Sequence, residues 1–113
     1  AVGTSHGMTH REAMVDTALI RSLDDRVPVP LVLHGSSGLD DGQLVEAVRA
    51  GMTKINISTD LNHLFTDESR TYFASFPTTV DPRRYVGAGR EAMTTEIARL
   101  LTLLAGGAAA SAG

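Results

Sequence analysis

The 113-residue chain has no cysteine and no tryptophan. Without cysteine there is neither a disulfide framework nor a thiolate metal site. Aromatic residues make up 4% of the chain, yet apolar residues reach 42%, enough for a core built on aliphatic side chains. There is no basic run and the net charge is -3, which argues against a nucleic-acid partner. No apolar run approaches the roughly 20 residues that span a bilayer. The most apolar stretch, Ile97 to Leu104, is interrupted by Arg99. The chain does not open on a basic, apolar signal segment. These features suit a cytoplasmic protein that binds neither nucleic acid nor membrane. The end, from Ala105 to Gly113, is nearly all alanine and glycine and reads as a frayed or disordered tail.

What is present is a repeated alternation of elements. Ala1 and Val2 read as the end of a strand. About Arg11 to Leu23 carries Met14, Val15, Ala18, Leu19 and Leu23 at helical spacing, and Pro28 and Pro30 break it. Leu31-Val32-Leu33 is a short continuous apolar run, as in a strand of a parallel sheet buried on both faces. Asp40 with Gln43 has the spacing of a capping box for the next helix, and Gly51 is its stop. Met52 to Ser58 reads as a strand with Ile55 and Ile57 on one face and Lys54, Asn56 and Ser58 on the other. Two helices complete the chain, one carrying Leu61, Leu64, Phe65, Tyr72, Phe73 and Phe76, the other Met93, Ile97, Leu100, Leu101 and Leu104.

Strands alternating with helices at this spacing imply crossover units and a parallel sheet. About three such strands leave both sheet edges open. The expected fold is therefore α/β, the C-terminal part of a (β/α)₈ TIM barrel, over residues 1–105, with 106–113 as the tail. In such barrels function gathers where the strands end. His6, His34 and Asn56 all fall at or near strand ends, so they are expected to face one pocket. Neutral imidazole is a good zinc ligand, but a catalytic zinc takes three protein ligands. The loop Gly35-Ser36-Ser37-Gly38 can bring N–H groups and hydroxyls to an anion. Ser58 and Thr59 precede a helix whose N-terminus favours negative charge. His10 reads as a loop residue and His63 as surface.

These residues carry a resemblance. Gly3-Thr4-Ser5-His6-Gly7, then Pro30-Leu31-Val32-Leu33-His34-Gly35-Ser36-Ser37-Gly38, then Lys54-Ile55-Asn56-Ile57-Ser58-Thr59-Asp60 look like class II ketose-bisphosphate aldolases, of which fructose-bisphosphate aldolase is the commonest. The order and spacing of the three motifs also resemble that family, and Asp81-Pro82-Arg83 and Arg90-Glu91-Ala92-Met93 resemble its C-terminal helices. The resemblance implies a zinc-dependent lyase that reversibly cleaves a ketose 1,6-bisphosphate to dihydroxyacetone phosphate and glyceraldehyde 3-phosphate, as in glycolysis. Fructose 1,6-bisphosphate is the expected substrate. A tagatose-bisphosphate aldolase and a non-catalytic phosphate-binding remnant are the alternatives.

By the same resemblance, His6 and His34 match two zinc ligands. Gly7, Gly35, Ser36 and Ser37 match the positions around the substrate phosphate. Asn56, Ile57, Ser58 and Thr59 match the strand-end group that holds the same substrate, with Asn56 in the catalytic role beside the enediolate oxygens. Arg83 matches an arginine used on the distal phosphate, which several members place in a neighbouring subunit's site, so a dimer or higher homo-oligomer is implied. Ser36 departs from the family's usual glycine, and Met8-Thr9-His10 departs from its commoner loop pattern. The family's catalytic aspartate and a further histidine ligand are expected upstream of this segment, which on its own is expected to be inactive.

Overall fold

The computed structural model describes residues 1–4 and 14–112. Its element order is α1 (Thr17–Arg26), β1 (Leu31–Leu33), a short 3₁₀ turn (Ser36–Gly38), α2 (Asp41–Ala50), β2 (Met52–Ile55), α3 (Thr59–Ser75) and α4 (Pro82–Ala112). β1 and β2 form a parallel two-stranded sheet. Ala1 and Val2 are not paired as a strand, so the sheet has one strand fewer than the sequence suggests. They are nonetheless tied in place, because the Asp16 N–H donates to the Val2 carbonyl at 2.9 Å.

Local chemistry fixes the helix ends. Asp16 caps α1, its side chain accepting from the Leu19 N–H at 2.9 Å, so the helix starts later than its apolar spacing implies. Asp40 caps α2 through the Gln43 N–H at 2.8 Å. The capping box is only half made. Gln43 Oε1 instead accepts from the Val15 N–H at 2.8 Å, which ties the approach to α1 onto α2. At α4, Pro82 stands in the first turn, where its missing N–H costs nothing, and the Asp81 carboxylate accepts from the Arg83 N–H at 3.1 Å. That helix runs through to Ala112, into the segment whose composition suggests a frayed end. Alanine is the strongest helix former, which favours the continuation.

The core gathers Val15, Ile20, Leu33, Leu39, Leu44, Ala47, Ala50, Met52 and Leu100. It lies between the sheet and α1, α2 and α4. Ile20 and Leu33 are almost wholly shielded, and each contributes about 1.5–3 kcal/mol by leaving water. The strands pair Leu31 with Met52, Val32 with Lys54 and Leu33 with Ile55, with a register irregularity after Leu31. Thr53 is the extra residue. It puts buried Met52 and core-packed Ile55 on the helix side although they are three residues apart. Strict alternation would send them to opposite faces.

The other face of the sheet is open. Val32 is 41% exposed and Lys54 beside it is exposed. The expectation of strands covered on both sides therefore fails for this face. α3 has no fully buried residue and leans on α4 through half-buried contacts. The Phe73 and Tyr85 rings lie 4.6 Å apart there. The radius of gyration is 17.0 Å, against about 13 Å for a compact domain of similar length.

Gly51 closes α2 with φ 132°, a conformation that side chains rarely adopt. A Cβ there would also lie 2.7 Å from the Asp24 carboxyl carbon. Gly51→Ala is expected to destabilise by about 1–3 kcal/mol in a urea or thermal melt. Because the backbone is the main cause, adding Asp24→Ala is expected to recover only a minor part of the loss.

Candidate functional site

The parallel register carries the chain into the site. The Asn56 N–H donates to the Leu33 carbonyl at 2.9 Å, extending the ladder one residue past the end of β2. Residues alternate across a sheet, so His34 follows Val32 and Asn56 follows Lys54 onto the open face. His34 and Asn56 thus become neighbours although 22 residues separate them. Asn56 Nδ2 lies 3.3 Å from His34 Nδ1, and the amide donates there when Nδ1 carries no proton.

Beyond His34 the chain turns sharply. Gly35 takes the left-handed conformation, φ 69° and ψ 31°, which a residue without Cβ adopts at little cost. The following 3₁₀ turn folds the loop back under the strand end. Ser36 is 1% exposed and its hydroxyl is directed to the Leu33 carbonyl, 3.5 Å away. Its side chain is therefore packed beneath the loop, and only its backbone is placed to meet a ligand. Ser37 is also buried, and its Oγ accepts from the Asp60 N–H at 3.2 Å. Ser58, the residue at the cap position of α3, makes no side-chain cap bond. The loop serine takes over that work and joins the Gly-Ser turn to the start of α3.

The result is a cleft of about 520 Å³ lined by His34, Gly35, Ser36, Ser37, Ile55, Asn56, Ile57, Ser58 and Thr59. It brings together the described candidates from two of the three motifs. His6 and Gly7, with His10 and the stretch around them, lie outside the described residues. Arg83 is not among the residues lining the cleft. Its guanidinium forks onto the Asp81 carboxylate, with Nε to Oδ1 at 2.9 Å and Nη2 to Oδ2 at 2.8 Å. Arg83 holds the Asp81 carboxyl below its ordinary value. The pair's contribution is present in full above about pH 3.8 and is lost as pH falls through the lowered value.

The structure also shows two long-range links that pattern alone misses: the Ser37 bond to α3, and a 2.7 Å hydrogen bond from the Thr4 hydroxyl to the His34 carbonyl. Nothing in periodicity signals either. As a metal centre the described part is incomplete. His34 offers one imidazole, a donor zinc accepts, and it stands exposed at the cleft. Among the described residues no group of three His, Cys, Asp or Glu side chains is placed to hold a metal ion. The described donors therefore fit one position of a zinc shell.

Comparison with known proteins bears on the family and the fold. The family model described as fructose-bisphosphate aldolase class-II matches residues 1–107. The structure is similar to the crystal structure of the YdjI aldolase from Escherichia coli K12, with a TM-score of 0.72 and 27% identity. That match covers 92% of this chain and 38% of the YdjI chain. The chain thus spans well under half the length of that aldolase.

Ser37→Ala is expected to lower stability by about 0.5–2 kcal/mol, as the loss of a helix cap does, and to speed amide exchange at Asp60. Ser58→Ala is expected to leave both nearly unchanged.

Proposed function

The chain belongs to the class II fructose-bisphosphate aldolase family, and from that premise we propose that it supplies part of the active site for reversible aldol cleavage of a ketose bisphosphate. The α/β architecture, with helices and short parallel strands, is that of a TIM-barrel-like aldolase fold. The observation that carries the proposal is the placing of His34 and Asn56 side by side at the mouth of the cleft formed by the Gly-Ser loop.

Each residue then has a task. His34 would supply one zinc ligand and His6 a second. Zinc, when bound, supplies Lewis-acid polarisation of the substrate's oxygens. A neutral imidazole has one ring lone pair to give. The Asn56 amide takes it when it lies at Nδ1; with the lone pair at Nε2 instead, a zinc ion would take it there and the amide would be released from the ring. Released, Asn56 can donate to the oxygen that gains negative charge as the carbon–carbon bond breaks. The proton from the hydroxyl on the cleaved carbon passes to an acceptor outside the described residues.

Gly35, Ser37 and the Ser58–Thr59 start of α3 receive the phosphate of the dihydroxyacetone half. Helix N-termini favour anions, and the Ser37 hydroxyl proton is available because its oxygen is the acceptor toward Asp60. Ser36, with its hydroxyl turned under the loop, acts through its backbone. Arg83 is 90% exposed and lines no part of this cleft, which supports a role on the distal phosphate at a neighbouring subunit's site in a homo-oligomer. Fructose 1,6-bisphosphate is the proposed substrate. The described helices include none long and apolar enough to cross a membrane, and the proposed location is the cytoplasm.

The full-length protein is expected to cleave fructose 1,6-bisphosphate in a coupled assay, faster than the tagatose epimer, and to lose turnover on chelation. The 113-residue chain alone is expected to show none. His34→Ala should remove both zinc and turnover. Asn56→Ala should retain zinc and lower kcat by roughly 10²–10³, the size expected for a donor aimed at developing charge. A His34→Ala protein that kept its zinc and its rate would overturn the assignment.

A further inference from the structure

We infer that Thr4 is a positioning residue for the metal-binding end of the cleft, acting through the His34–Gly35 peptide. The inference rests on the proposed zinc role of His34 and adds a residue to it. The Thr4 hydroxyl donates to the His34 carbonyl at 2.7 Å across 30 residues of sequence, the usual length for a well-formed bond between two oxygens. It does so just past the point where the ladder reaches the Leu33 carbonyl, so the hydroxyl holds the strand one residue farther on.

The position matters because the next residue, Gly35, is left-handed, and glycine moves readily between conformations. A peptide group is planar, so pinning the His34 carbonyl also fixes the direction of the Gly35 N–H on the opposite side of the same plane. One hydroxyl thus sets the backbone that carries the imidazole and orients an N–H of a cleft-lining residue. Thr4 is itself anchored, since the Val2 carbonyl two residues before it accepts from Asp16. The Asn56 amide lies beside the ring, and Thr4 holds the main chain beneath it.

The test compares Thr4→Val, which keeps the branched shape and removes the donor, with Thr4→Ser, which keeps the donor. Zn²⁺ alone is titrated calorimetrically into the metal-free full-length protein, and the metal-free melting temperature is recorded for each variant. Thr4→Val is expected to bind zinc about tenfold more weakly, the equivalent of one hydrogen bond at the upper end of its usual worth, with little change in melting. Thr4→Ser is expected to restore wild-type binding. Equal zinc affinity in Thr4→Val and wild type overturns the inference. So does a weakened affinity that tracks a lowered melting temperature and is not restored by serine, since that is a purely structural role. His34→Ala is the separate control. If it binds zinc as wild type does, the assignment of His34 as a ligand fails, and the role given to Thr4 fails with it.

Discussion

The hydrogen bond from the Asn56 N–H to the Leu33 carbonyl sets the relation between the two halves of the cleft. It extends the parallel pairing one residue past the end of β2 and decides which side chains share the open face. A slip of one residue would turn Asn56 toward the helices and bring Ile55 or Ile57 beside His34. The ladder is short, so its register needs help. The core supplies it, because Leu33 and Met52 are buried and Ile55 and Ile57 pack against the same cluster. The irregularity at Thr53 lets Met52 and Ile55 reach that cluster while Lys54 stays out of it.

How much of this was legible in the sequence depended on the range of each interaction. Asp40 and Gly51 act within a turn of their own helix, and their roles as cap and stop follow from residue type. The alternation of Lys54 and Asn56 against Ile55 and Ile57 was equally readable, but the strand expected to run to Ser58 ends at Ile55, and Asn56 to Ser58 continue it only as irregular chain along the cleft. Long-range bonds were not legible. The Gln43 side chain leaves its own cap for Val15, and Ser37 caps a helix that begins 22 residues later in the chain. A serine's preference for caps does not say whose cap. The burial of Ser36 was also hidden, since glycine-serine loops read as exposed.

The opposite kind of miss occurred at the sheet. An apolar run such as Leu31-Val32-Leu33 reports the burial a strand is suited to. The structure shows the burial that the elements present can give. Val32 stands 41% exposed, and a mostly apolar hollow of about 310 Å³ opens beside it between Val2, Leu31, Val32 and Met52. An exposed β-branched residue in mid-strand is what a barrel face looks like without its other strands. It accords with a chain that covers 38% of the YdjI aldolase.

The two serines of the loop divide its work by direction. Ser36 turns inward and braces the turn on Leu33. Ser37 turns toward α3 and binds the Asp60 N–H, leaving its own proton to give away. One residue therefore links the loop after β1 with the helix after β2, and an anion there meets the loop and the helix terminus together. Stability and binding are coupled at such a position. A substitution that removes the Ser37 hydroxyl from the proposed phosphate site also loosens the first turn of α3, whose packing rests on α4 more than on the core. Under the aldolase reading, substrate phosphate and helix cap compete for nothing, because one uses the hydroxyl proton and the other the oxygen lone pair. On that reading, the separation of donor from acceptor would let a single buried serine serve the fold and the ligand at once.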